Sequence, residues 1–407
     1  MFYNLKKVIG FTSIGLFSSF FLMLSSFIFI RSSSPEESGI YFFYVTISGF
    51  IANIALFGNG TFFNKSMSDV SKSEAFKLAL FMRYFFISSI LISLLISHLF
   101  IEKTNLLLFY FIFIEVGVFK VFRERIYSSY ARFFKATHIY LLVQATYVMC
   151  RFVVILCYYF GNIDYKNLFF FLFLSSIPSI LLTFDFFSRI FKKKKTSYIE
   201  YLKNGAPFFF ATFFTMGFDY APIFSLSLFC DSSQSIGLFS SSYKIISIIL
   251  LGLGILCQSL LPYLRAVYND NGVTKTILSG IKIILFLFLL YLPINYILYF
   301  NSNYIINLII GVNYLSAASV LKFQSIGVWG SIVCFISFTI LQSIDKESIV
   351  IFVISTSALL NFSLCIYFVK LGAEGVAIAM SISLLFCAAL SITVLFKEYR
   401  NYIKNNV

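Results

Sequence analysis

The chain has 407 residues, 59% of them hydrophobic and 12% charged, with a formal net charge of +14. Soluble domains carry about 25% charged residues, so composition excludes a water-soluble enzyme and points to a chain dissolved in a bilayer. The seven cysteines include no CxxC pair and the only histidines are His98 and His138, which argues against a disulfide framework and a zinc site.

A spanning helix needs about 20 mostly apolar residues. In chain order such runs fall near Val8–Ile30, Gly39–Phe63, Lys77–His98, Asn105–Val121, His138–Phe160, Lys166–Ser188, Asn204–Phe229, Gly237–Pro262, Ile277–Phe300, Tyr314–Gln342, Ser348–Val369 and Gly375–Phe396. The expected fold class is an all-α integral membrane protein of about twelve transmembrane helices. Lys6 and Lys7 precede the first run as in a signal peptide. The run is too long for one, however, and "RSSSPEES" lacks an A-x-A cleavage pattern, so it is expected to remain as a span. In that stretch Pro35, after Ser34 and before Glu36 and Glu37, reads as the first-turn proline of the second helix with an N-cap serine.

Placing the N-terminus in the cytoplasm and alternating sides puts most Lys and Arg inside, among them Lys192, Lys193, Lys194 and Lys195. Only Arg31, Lys103, Lys166 and Lys370 fall outside. The positive-inside rule fits this arrangement, with both termini cytoplasmic. The net charge is then a topology signal: "FKKKK" reads as a linker touching anionic headgroups, and no nucleic-acid partner is expected. That basic linker, residues 190–203, separates an N-terminal lobe of six spans (1–189) from a C-terminal lobe of six (204–407). The second span opens with "ESGIYFFYVTISGF" and the eighth with "QSIGLFSSSYKIIS". Both place Ser and Gly first, then an aromatic residue two positions past the Gly, as in a parallel repeat.

Charged residues inside spans are costly and usually face a cavity or a partner. Those at issue are Arg83, Glu115, Arg151, Asp185, Asp219, Lys244 and Lys322. Asp185 and Arg189 are four apart, acid first, and read as a structural pair. Arg83 has two readings, a cavity cation or a side chain that snorkels toward the headgroups. Lys244, seven past Gly237, and Lys322, eight past Tyr314, lie at similar depth and face either a cavity or the interface. Arg151 lies midway along its span, too deep to snorkel. Either it pairs with Glu115 or Asp219, or it lines a cavity with Lys244 while one of those acids titrates in a proton-coupled cycle. Pro207, Gly217 and Pro222 interrupt the seventh span and read as hinge residues, with static packing kinks as the alternative.

Several stretches, in order, resemble bacterial polysaccharide exporters. They are "RSSSPEESGIYFFYVTISGFIANIALFGNG", "GLFSSSYKIISIILLGLGILCQSLLPYL", "GVNYLSAASVLKFQSIGVWGSIVCFISFTILQSIDKE" and "LGAEGVAIAMSISLLF". The resemblance is to O-antigen flippases of Wzx type, in the superfamily that also holds drug/cation antiporters (MATE) and lipid II flippases. It implies two six-helix lobes around a central cavity. It also implies export of undecaprenyl-diphosphate-linked oligosaccharide units across the bacterial inner membrane, with a polysaccharide polymerase and a chain-length regulator as partners. No cofactor is implied; a proton or a sodium gradient supplies the drive. On this reading Lys244, Arg151, Lys322, Arg31 and Arg83 are the candidates for binding the diphosphate, since Arg and Lys form charge-assisted hydrogen bonds with phosphate oxygens. Glu115 and Asp219 are the candidates for ion coupling. The alternatives are a drug/cation antiporter of the same superfamily and a membrane-embedded O-antigen polymerase or ligase. The longest segment assigned to the outside, "NSNYIINLIIGVN", is short and apolar, which disfavours the enzymes.

Overall fold

The computed structural model describes residues 2–57, 88–94, 106–127, 137–183, 198–230 and 232–406. Arg83, Asp185, Arg189 and most of the 190–203 linker lie outside them. The described residues are helical almost throughout, with no strand among them. Helices α1 (Phe2–Ser32) and α2 (Pro35–Leu56) come first. α3 (Leu106–Ile112) continues into wide π-helical turns over Phe113–Lys120 and Phe122–Tyr127. Then follow α4 (Thr137–Tyr159), α5 (Tyr165–Leu181), α6 (Tyr198–Phe229), α7 (Ser233–Phe300), α8 (Ser302–Ile309), α9 (Ala317–Ser343), α10 (Glu347–Phe368) and α11 (Gly372–Asn406). By length and apolar composition, the described stretches able to cross a membrane are Pro35–Leu56, His138–Tyr159, Ser233–Phe300, Ala317–Ser343 and Glu347–Tyr402. The protein is an all-α, multi-pass membrane protein.

The chain forms two compact units. One comprises Met1–Ser33 and Tyr41–Phe213, the other Ser34–Ile40 and Phe214–Val407. In the first, α1 packs on α4, and α5 packs on both α3 and α4. Aromatic rings fill the seams: Phe29 lies 4.6 Å from Tyr41, and Tyr44 lies 5.8 Å from Phe109 and 6.3 Å from Phe169. Offset and edge-on ring pairs of this kind add to the burial of apolar area.

In the second unit α9 is the central helix, buried along most of its length between α7 and α11. Close packing there needs glycine. A Cβ on Gly330 would sit 2.6 Å from the backbone of Leu384 on α11. Gly327 faces Ser381, whose hydroxyl donates to the Phe323 carbonyl at 2.6 Å. Without a hydrophobic drive between helices in lipid, close backbone approach and interhelical hydrogen bonds hold them together.

Three features set where these helices begin and turn. The start of α2 is a reciprocal capping box: the Ser34 amide donates to Glu37 Oε2 at 2.9 Å, and the Glu37 amide to Ser34 Oγ at 3.2 Å. Pro35 occupies the first helical position, as the sequence predicts. α7 is not one straight rod. Gly272 adopts φ 76°, a left-handed conformation glycine accepts freely, and the chain doubles back there. Ile249 and Leu253 of one limb therefore line the same apolar void as Leu287 and Ile294 of the other. Sequence periodicity ends the first limb at Pro262, whereas the helix passes through that proline and keeps going to the turn. Finally, "NSNYIINLIIGVN" is not a plain loop. Ser302–Ile309 is a short helix and Val312–Tyr314 a 3₁₀ turn, so α9 starts at Ala317 rather than at Tyr314.

Candidate functional site

The first unit buries a charged cluster. Arg151 of α4 pairs with Glu115 in the π-helical continuation of α3. Of the readings left open for Arg151 by its depth, this is the partnered one, with Glu115 rather than Asp219. Tyr147, one turn before Arg151, donates to the same carboxylate oxygen at 2.6 Å and accepts from Arg151 Nη1 at 3.1 Å. Arg151 Nη2 donates to the Tyr41 hydroxyl. A second guanidinium, Arg123, is fully buried and stacks over the Tyr147 ring at 3.5 Å, a cation–π contact. Its Nη1 donates to Ser179 Oγ at 3.1 Å.

Among the described residues, this buried cluster holds two guanidiniums and one carboxylate, with the exposed Glu124 next to Arg123 in sequence. It is also incompletely bonded: Glu115 Oε2 and the Nε and Nη2 of Arg123 have no hydrogen-bond partner among the described residues. Desolvating each ion costs several kcal/mol, which pairing offsets only where the geometry is good. Widened π turns are frequent at functional sites because the extra residue per turn re-aims side chains. Glu115 and Arg123 both sit on such turns.

The second unit holds a cavity of about 230 Å³ between α6, α7, α9, α10 and α11. Its lining is mostly apolar (Phe335, Phe338, Leu384), with Ser331, Cys334 and Cys387 as minor polar groups. Asp219 of α6 is the charged residue on its wall. The Asp219 side chain is accessible because it faces this void. Tyr243 of α7 donates to Asp219 Oδ1 at 3.2 Å and is held parallel to the Phe239 ring. Among the described residues no cluster of three His, Cys, Asp or Glu side chains is placed to hold a metal.

The remaining expected site residues are spread out. Lys244 follows Tyr243 and is half-buried, yet neither it nor Lys322 lines the Asp219 cavity. Lys322 is also half-buried, and it lies five residues into α9 rather than the expected eight. Arg31 is exposed in the last turn of α1. α6 continues through Pro207 and Pro222. Gly217 is a close approach: a Cβ there would sit 2.7 Å from that of Ala358 on α10, and buried Asn361 donates to the Gly217 carbonyl at 3.0 Å.

Arg123, Tyr41, Tyr147, Tyr243 and Asn361 are missed by sequence reasoning. Arg123 stands among basic residues that read as a topology signal, and the chain has 26 tyrosines with nothing local to mark these three. Each is singled out only by what it meets across the bundle.

No protein-family model matches the sequence, and a comparison with curated proteins gives no match. Among solved structures it is similar to a multidrug resistance MATE family transporter of the MOP superfamily in an inward-facing conformation. There the identity is 13%, with 96% of each chain covered and a TM-score of 0.72. It is similar to the lipid II flippase MurJ in an inward closed conformation, at 20% identity over 95% of this chain and 87% of that one, with a TM-score of 0.68. A MOP superfamily transporter from Pyrococcus furiosus gives 15% identity, 95% and 93% coverage and a TM-score of 0.59. Its all-helical membrane architecture is thus the fold of the MOP superfamily transporters.

Proposed function

We propose that the protein is a flippase that carries undecaprenyl-diphosphate-linked O-antigen repeat units from the cytoplasmic to the periplasmic leaflet of the bacterial inner membrane. On this reading lobes 1–189 and 204–407 alternate access to a central site, both termini are cytoplasmic, and Pro207, Gly217 and Pro222 flex. Lys244, Lys322, Arg31 and Arg83 grip the diphosphate, and Arg151 joins them when Glu115 releases it. Asp219 takes up the coupling ion. A polysaccharide polymerase and a chain-length regulator receive the product.

The sign of the buried charge is what supports an anionic cargo. Among the described residues, the buried charges of the first unit are Arg123, Arg151 and Glu115, two cations against one acid, whereas a carrier of cations is expected to bury a surplus of carboxylates. A fold shared with a lipid II flippase agrees with a lipid-linked substrate. The second reading, a drug/cation antiporter, draws on Asp219, an acid on the wall of a largely apolar cavity. Expression in a strain that lacks its own O-antigen flippase tests the choice. Restored surface polysaccharide supports the flippase; drug resistance without polysaccharide supports the antiporter.

A further inference from the structure

A second, much smaller void adjoins the Asp219 cavity and shares Tyr243 and Ser331 with it. It measures about 10 Å³ and is lined by Tyr243, Gln324, Ser331 and Ser381 among apolar neighbours. That is about the space one water needs, given two to four polar partners. Gln324 is 4% exposed, and its Oε1 has no hydrogen-bond partner while its Nε2 donates to the Phe239 carbonyl at 3.3 Å. A buried carbonyl oxygen left without a donor costs about 1–3 kcal/mol. Ser331 and Ser381 already donate to the carbonyls of Gly327 and Phe323, at 3.3 and 2.6 Å, so their oxygens remain acceptors.

We propose that this void holds one bound water that donates to Gln324 Oε1, and that Tyr243 links the water to Asp219 as a proton-responsive hydroxyl rotor. The inference rests on Asp219 being the coupling site. It adds the identity of the ion, a proton, and two positioning residues, Tyr243 and Gln324.

The bonding balances in both states. With Asp219 ionised, Tyr243 donates to Oδ1, as observed, and the water donates to Gln324 and to a serine oxygen. When Asp219 accepts a proton from water in the larger cavity, its new O–H donates to the Tyr243 oxygen. The tyrosine hydroxyl then turns to donate to the bound water, which keeps its bond to Gln324. No polar atom loses its partner in either state. On the wall of the larger cavity a sodium ion would find the Asp219 carboxylate and the hydroxyls of Thr215, Tyr243 and Ser331 among apolar side chains and thiols, few oxygens with which to replace its hydration shell. Apart from Asp219 and Tyr243, the titratable groups on the larger cavity are the thiols of Cys334 and Cys387; no Lys, Arg, His or Glu lines it.

Infrared difference spectroscopy of the full chain in lipid nanodiscs, stepped in pH, tests this. The carboxylic-acid band of Asp219 is identified by its loss in Asp219→Asn. Tyr243→Phe and, separately, Gln324→Leu should each shift that band, and exchange into H₂¹⁸O should displace a water band that Gln324→Leu removes. An Asp219 band unmoved by both substitutions, or the absence of any water band sensitive to Gln324, overturns the relay while leaving Asp219 free to bind another ion. No protonated Asp219 at any pH overturns it as well. Undiminished polysaccharide restoration by Asp219→Asn would instead remove the coupling role itself, whatever the spectra show.

Discussion

Gly39 of α2 and Gly237 of α7 lie against each other's helix starts. A Cβ on Gly39 would overlap the Ser233 carbonyl, and one on Gly237 would overlap the Pro35 carbonyl. The contact is reciprocal, because Pro35 precedes Gly39 by four residues just as Ser233 precedes Gly237. These are the two glycines that the echoing stretches place in register. Both helix starts are capped by serine, Ser34 for α2 and Ser232 for α7, so the crossing is fixed in position as well as in spacing. Nearby, the Tyr314 hydroxyl donates to Ser38 Oγ at 2.9 Å.

Alanine at either glycine therefore meets backbone, which cannot swing aside as a side chain does. Gly39→Ala and Gly237→Ala should each cost at least the roughly 1–3 kcal/mol of an overpacked contact. Because both strain the same crossing, and the shift that accommodates one also makes room for the other, the double variant should lose less than the sum of the two. Thermal melting of detergent-solubilised protein measures this; additive losses would show that the two contacts are independent.

The Glu115–Arg151 pair gives an ordered series. Glu115→Leu removes the one carboxylate buried with Arg151 and Arg123 among the described residues, so it should be the worst single change, at about 3–5 kcal/mol or more. Arg151→Met leaves Glu115 with Arg123 nearby and should cost less. Glu115→Leu combined with Arg151→Met should recover part of the loss. Folded yield across the set reads the order, and equal single losses would mean that Arg123 contributes no compensating charge.

Lys244→Ala should insert and fold like the parent yet fail to restore full-length surface polysaccharide. The side chain is half-buried on α7, next to the residue that bonds Asp219. Normal restoration would take Lys244 out of the site.

Gly217 separates packing from hinging. If the 2.7 Å approach to Ala358 is what requires glycine, Gly217→Ala should lower the melting temperature and Ala358→Gly should restore it. If flexing is the requirement, Gly217→Ala stays folded with reduced transport and Ala358→Gly does not rescue it.

Much of the helix pattern was legible because span length and apolar content are local properties of a chain in a bilayer. Ser34 and Pro35 marked a helix start for the same reason: a cap is read from a few adjacent residues. Depth was less secure. The sequence places Lys322 eight residues into its helix because Tyr314 begins an apolar run, but Tyr314 belongs to a short 3₁₀ turn and the helix starts at Ala317. Azimuth was not legible at all. Glu115 and Asp219 lie at similar depth in their helices, and only the fold shows that one meets Arg151 and the other faces a void. The small partners, Gln324 and Asn361, are polar residues in apolar runs whose role depends on a void or a carbonyl contributed from distant sequence.

The reversal at Gly272 bears on the topology of the chain. Its two limbs are joined through one residue of left-handed backbone, with the Tyr402 hydroxyl 2.8 Å from where a Cβ would stand. So short a connection makes the two limbs antiparallel neighbours, and inverting one of them in the bilayer would require inverting the other.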